Sequence, residues 1–269
     1  MLLAQLTDTH VVDPRSDEEL HVDNNGRLAE AVASLNAEPV EPAAVLATGD
    51  LVNWGHQPEY DELARLVEGL KAPLLPLPGN HDDRARIRAT FPNTPWADTE
   101  HASWQTRVGD VAVIGLDSTV PGQPGAEFDD AREAWLSAAL GSAGEGQILL
   151  ALHHPPFTTG IAAMDRAGFI GLDRLLNVLA EHGNVDRVVC GHLHRPISSV
   201  VAGIPAQVGL STVQHVGLDL RPEAGFTIVK DPVGYMLHGF TNNTWVTHTR
   251  YIATGQQPFV PDWARSDTP

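Results

Sequence analysis

The sequence predicts an α/β (α+β) fold in one large domain, and three features carry that prediction. Five apolar, β-forming runs (residues 2–6, 45–47, 74–77, 148–152 and 188–190) each stop at a polar cluster, the pattern of buried strands that break into loops. Between them lie apolar stripes at helical spacing, such as Leu63, Leu66, Val67 and Leu70. From about Ile197 this alternation gives way to strands alone. A chain of 269 residues can bury a sizeable core as one such domain, or as one with a small appendage.

In order along the chain, residues 11–26 read as a polar loop, followed by Leu28, Val32 and Leu35 on one face of a helix. Residues 43–48 form the next strand, which Gly49-Asp50 breaks, and Pro58 suits the first turn of the helix that follows. Three prolines in residues 73–78 argue against a long central strand, yet Leu74, Leu75 and Leu77 suit a short one. Asp83 is placed to cap a short helix through Phe91. Residues 92–107 read as irregular, 108–116 as one strand, and 129–140 as a helix with Trp135, Leu136 and Leu140 turned inward. Pro155 and Pro156 fix an extended loop. Leu172, Leu175, Leu176 and Leu179 mark a helix that Gly183 stops. Residues 226–229, 235–240 and 245–252 alternate with period two and are joined by turns at 231–234 and 242–243. They predict an antiparallel second sheet. We therefore expect one domain over residues 1–254, in which about 197–254 supply the strands of that sheet and a small cap or dimer element, with a surface-draped or disordered tail over 255–269.

The balance of 34 acidic against 17 basic residues gives a formal charge of −17, and no stretch gathers enough Lys or Arg to grip a nucleic-acid polymer. A small phosphate ester stays compatible with an acidic chain, because bound divalent ions reverse the sign of the local field. The single cysteine, Cys190, excludes an intrachain disulfide and fits a reducing compartment. Residues 1–6 are too short and lack the positive flank of a signal peptide. No run of about 18 apolar residues is present to cross a bilayer, so the expected location is the cytoplasm, with no membrane partner.

The chemistry lies in Asp8-x-His10, Gly49-Asp50-Leu51-Val52-Asn53, Gly79-Asn80-His81-Asp82, His153-His154 and Gly191-His192-Leu193-His194. We expect these clusters on one edge of one sheet, where open α/β sheets bind ligands. Carboxylate oxygen and imidazole nitrogen suit Fe, Mn, Zn or Co, and two ions held about 3.5 to 4 Å apart need a bridging ligand. Asp50 is the choice for that bridge. Asp8 and His10 can turn toward one ion, His192 and His194 can serve one each, and Asn80 is a weak oxygen donor that substrate could displace.

In order and in spacing, these five clusters resemble the motifs of calcineurin-like metallophosphoesterases, over residues 1 to about 196. The resemblance implies a four-layer αββα sandwich of two mixed sheets flanked by helices, with two divalent metal ions as cofactors. It implies Asp8, His10, Asp50 and His194 on one ion and Asp50, Asn80, His153 and His192 on the other. Residues 79–83, together with His153-His154-Pro155-Pro156-Phe157, Gly160 and Met164-Asp165, are most similar to bacterial glycerophosphodiesterases and class III cyclic nucleotide phosphodiesterases. That group implies a homodimer, here without a disulfide link.

The expected activity is hydrolysis of a small phosphodiester by a hydroxide bridging the two ions. His81 is the candidate to contact a phosphoryl oxygen or protonate the departing alkoxide, with Asp82 orienting it, and Asn53 to hold phosphate. One rival keeps the site as a phosphomonoesterase; another is a non-catalytic protein-binding scaffold of this fold. His154 reads as a packed neighbour, His21, His56 and His215 as solvated loop residues, and His101, His182, His238 and His248 as surface or core. Trp54, Trp96, Trp104 and Phe157 either wall a pocket or fill a core.

Overall fold

A computed structural model describes residues 1–16, 22–144 and 146–252. The chain runs through β1 (Leu2–Leu6), α1 (Asn24–Asn36), β2 (Ala44–Thr48), α2 (Gln57–Val67), β3 (Leu74–Leu77) and α3 (Arg84–Thr90). It continues through β4 (Trp104–Val108), β5 (Val111–Leu116), β6 (Thr119–Val120), β7 (Gln123–Glu127), α4 (Asp130–Ser142), β8 (Gln147–Leu152), α5 (Ala162–Asp165), β9 (Phe169–Ile170) and α6 (Leu172–His182). Strands dominate the rest: β10 (Arg187–Cys190), β11 (Ile197–Val201), β12 (Ile204–Val208), β13 (His215–Val216), β14 (Ile228–Val229), β15 (Gly234–Thr241) and β16 (Thr244–Tyr251).

Two mixed sheets result. One has the order β16-β15-β1-β2-β3 and the other β11-β12-β10-β8-β5-β4. Leu3, Leu46 and Leu77 of the first pack against Trp104, Val113, Leu149 and Val189 of the second. The outer face of the first sheet is covered by α1 and α2 through Leu28, Val32, Tyr60 and Leu63. The outer face of the second is covered by α4 and α6 through Leu136, Leu140, Leu175 and Leu179. Four layers in the order helix, sheet, sheet, helix are therefore present, as expected. They explain why the central strands are apolar without alternation, since both of their faces are covered.

Local signals hold in detail. Asp83 accepts from Arg86 N and Asp129 from Arg132 N, capping α3 and α4. Gly183 ends α6 in the left-handed conformation. Pro76 is tolerated because β3 is an edge strand paired only with β2.

Three expectations need correction. The five clusters do not share one sheet edge: β1, β2 and β3 belong to one sheet, β8 and β10 to the other. The described residues 197–252 do not build the second sheet as one antiparallel unit: β11 and β12 extend the sheet of β10, the β15–β16 hairpin joins β1 in the other, and β13 and β14 pair in a small antiparallel ribbon of their own. A burial pattern shows that a strand has a covered face but not which strand it pairs with. Residues 108–116, expected as one strand, are the end of β4, a turn at Gly109 and β5. The expected tail and His21 lie outside the described residues. Among the described residues no helix is long and apolar enough to cross a membrane.

Candidate metal centre

Each cluster begins one or two residues beyond the carboxyl end of a strand. Within each sheet the delivering strands β1, β2 and β3, or β8 and β10, are parallel, so their loops leave on the same side. At those ends the backbone turns abruptly. Asp8, His10, Asp50, His192 and His194 all have positive φ, between 43° and 71°. Left-handed backbone costs energy outside glycine, is least costly for Asp, Asn and His, and concentrates at functional sites.

Two glycines permit the crowding. A Cβ on Gly79 would lie 2.2 Å from Asp50 Oδ1 and 2.3 Å from Asp50 N, and one on Gly191 would lie 2.1 Å from Thr7 Oγ1 and 2.9 Å from Asp8 Oδ2.

The side chains converge. Asp8, His10, Asp50 and His194 are buried and present their ligand atoms within 4.8 Å of one another, and His153, His154 and His192 form a second such group. Asp50 Oδ2 stands between the groups, 3.8 Å from His10 Nε2 and 3.3 Å from His153 Nε2. Its other oxygen accepts from His81 N at 2.9 Å.

The imidazoles are oriented from behind. His153 Nδ1 donates to Thr48 O at 2.8 Å, His194 Nδ1 to Gln214 O at 3.0 Å and His10 Nδ1 to Asn53 Oδ1 at 3.1 Å. This fixes the tautomer and aims Nε2 inward. His10 Nε2 and His194 Nε2 then face each other at 3.1 Å, lone pair to lone pair. His153 Nε2 lies 3.2 Å from His192 Nδ1. Burial, with neighbouring imidazoles, lowers His10 and His192 to about 3 and His194 to about 4, so these rings are neutral bases. His153 is also buried, but the adjacent Asp50 charge more than offsets this and raises it to about 9. Burial raises Asp8 to about 6, with His153 opposing and Asp50 adding to the rise.

Asn80 Oδ1 is buried and has no hydrogen-bond partner among the described residues. A buried acceptor without a donor is costly, and so are opposed lone pairs. A cation between them relieves both. The donor set therefore fits divalent metal on the evidence of its own geometry.

Other expected residues are placed differently. Asp82 does not reach the His81 ring. Its carboxylate accepts from Gly79 N at 2.8 Å, Leu51 N at 3.1 Å and Tyr60 Oη at 3.1 Å, stapling the Asp50 loop to the Asn80 loop. Asn53 uses its side-chain oxygen on His10 and its carbonyl on His81 Nδ1 at 2.6 Å, so both of its oxygens orient rings. His81 lines a cleft of about 640 Å³ together with Asn80, Trp54, His56, Arg84 and Val120. His154 is buried, with Nδ1 2.9 Å from Ser118 Oγ. His215 is buried instead of solvated, with Nε2 bonded to Pro232 O, and Trp104 is core.

Sequence reasoning missed Thr7, whose hydroxyl donates to Asp8 Oδ2 at 2.8 Å. It also missed Ser211, which donates to Asp8 O, and the carbonyls of Thr48 and Gln214. Thr7 adjoins a ligand and could have been marked; a backbone carbonyl leaves no trace in residue type.

Comparison with known proteins agrees with this geometry. The family model for calcineurin-like phosphoesterases matches residues 1–196. A protein of Rhodopseudomonas palustris named "Probable cyclic nucleotide phosphodiesterase" is 37% identical over 239 residues, 87% of this chain and 86% of its own length. The glycerophosphodiester phosphodiesterase GpdQ of Enterobacter lignolyticus is 30% identical over 270 residues, 97% of this chain and 95% of its own. Among solved structures, a dimetal phosphatase from Danio rerio superposes with a TM-score of 0.68 at 13% identity, over 93% of this chain and 96% of its own, a likeness of fold.

Proposed function

The chain belongs to the calcineurin-like phosphoesterase family, and from that premise we propose that it hydrolyses a small phosphodiester, a 3′,5′-cyclic nucleotide or a glycerophosphodiester, with two divalent ions. The observation that carries this reading is the convergence of imidazole nitrogens and the Asp50 carboxylate in a buried centre. Asp8, His10, Asp50 and His194 would hold one ion, and Asp50, Asn80, His153 and His192 the other. Asn80 Oδ1 and His154 Nε2 are both buried without a partner among the described residues; Asn80 is taken as the fourth ligand, and Ser118 holds the His154 ring through Nδ1. Fe, Mn, Zn and Co all suit these donors.

When bound, the two ions make water nucleophilic near neutral pH and offset charge on the phosphoryl oxygens. The chain's own residues do the rest. The water oxygen bonds to phosphorus, the ester P–O bond breaks, and the departing alkoxide takes a proton. His81, in the lining of the cleft and anchored through Nδ1 to Asn53 O, leaves Nε2 to bond a phosphoryl oxygen or deliver that proton. Asp82 and Asn53 are positioning residues. The enzyme is proposed to work in the cytoplasm, as a homodimer without a disulfide.

A paired assay with Mn²⁺ tests the reading. Bis-p-nitrophenyl phosphate is expected to be cleaved with the higher kcat/KM; preference for p-nitrophenyl phosphate would replace the diesterase by a monoesterase. A protein-binding scaffold would cleave neither, although its retention of all seven ligands in one buried centre would have no physical reason.

A further inference from the structure

The cleft beside His81 has a composition of its own. Beside Asn80 and His81 it is lined by Trp54, Gly55, Val120, Pro121 and Gly122 and by the polar His56, Asp83, Arg84, Arg86 and Thr119. Among the described residues, and apart from imidazoles, Trp54 brings the one aromatic face to this lining.

Trp54 is 60% exposed, yet its backbone is tightly held. Trp54 N is 3.1 Å from each oxygen of Glu59, and Arg86 Nη1 donates to Gly55 O at 2.9 Å. Asn53 O, one residue earlier, accepts from the His81 ring at 2.6 Å. Gly55 has a φ of 73°, and a Cβ there would come within 3.0 Å of His81 O. The indole is thus a large apolar surface on a pinned loop, one residue from the group that anchors His81. It borders the same cleft as the apolar Val120 and Pro121.

We infer that Trp54 is a specificity-determining residue, the platform on which the base of a nucleotide stacks while its phosphodiester occupies the metal centre. The preferred substrate is then a cyclic nucleotide and not a glycerophosphodiester. Resting on the phosphodiesterase reading above, this assignment adds which of its two substrate classes the cleft selects. A base offers a π-face to any aromatic ring, and removal of one such stack weakens binding by about ten-fold or more. A glycerol arm has no such face to lay on the indole.

The test compares the wild type, Trp54→Ala and Trp54→Phe, all loaded with Mn²⁺, on 3′,5′-cyclic AMP and on glycerophosphoethanolamine. The wild type is expected to favour cyclic AMP in kcat/KM. Trp54→Ala should shrink that preference by about ten-fold, mainly through KM for cyclic AMP, as loss of one stacking contact implies, and Trp54→Phe should recover most of it. A preference that changes less than two-fold in Trp54→Ala, or a wild type that favours the glycerol ester, would overturn the assignment.

Calorimetric binding of 5′-AMP to the same three proteins separates the two claims. Weaker binding in Trp54→Ala, restored in Trp54→Phe, supports the platform even if no diester is hydrolysed, in which case it is the phosphodiesterase reading that fails. Equal affinity in all three proteins removes the platform.

Discussion

At the scale of the residue, the centre is built from backbone that most side chains avoid. Five of its proposed ligand positions are left-handed, and each is Asp or His, types that tolerate that conformation better than most. Their identity was legible because metal chemistry and backbone geometry select the same residues. The roles of Asp82 and Asn53 were not, because a carboxylate or amide beside a ligand can face the substrate or the scaffold without any change in sequence. Gly79 gives a sharp test. Gly79→Ala would drive a methyl to within 2.2 Å of Asp50 Oδ1 and displace the carboxylate proposed to bridge the ions. Activity with Mn²⁺ should fall at least about a hundred-fold, as expected when catalytic groups move by about an ångström, while overpacking costs about 1–3 kcal/mol in urea unfolding. Wild-type turnover in Gly79→Ala would show that Asp50 is not held where its role requires.

At the scale of the element, strands and helices follow from periodicity, and their ends from capping residues such as Asp83, Asp129 and Gly183. What periodicity does not encode is partnership, and the β15–β16 hairpin shows why. Its alternation is plain, but it is fixed to β1 by a buried polar contact: His238 Nε2 lies 3.0 Å from Gln5 Oε1 and Nδ1 lies 2.9 Å from Thr247 Oγ1. Burial, aided by Arg187, lowers His238 to about 3, whereas an imidazole in an unfolded chain titrates near about 6.5. Because the folded value is the lower one, the contribution of this neutral ring to stability is complete above about pH 6.5. It is lost as pH falls toward 3, by at most about 1.4 kcal/mol per pH unit. Urea unfolding of metal-free protein should therefore show the wild type more stable than His238→Gln at pH 7.5, with the gap narrowing by about 1–2 kcal/mol at pH 5. A gap independent of pH would mean that the ring is not held neutral between the hairpin and β1.

At the scale of the whole molecule, the site lies along the seam of two stacked sheets. Three loops from one and two from the other close around it, a division that better suits two ions than the single sheet edge the apolar runs suggest. Buried imidazoles, most of them neutral, and carboxylates packed this closely stabilise little by themselves; a pair of cations turns that arrangement into mutual attraction. The formal charge of −17 belongs to the same picture, since an acidic chain meets an anionic ester through bound metal and not through surface lysines. Elemental analysis of the purified protein after reconstitution with Mn²⁺ and desalting, beside Asp50→Ala, tests the shared bridge most directly. The expected result is about two ions per wild-type chain and fewer than about one in the variant, whose circular dichroism stays that of the wild type, as loss of a common ligand predicts. A wild type that retains no metal, or an Asp50→Ala chain that still retains two ions, would contradict it.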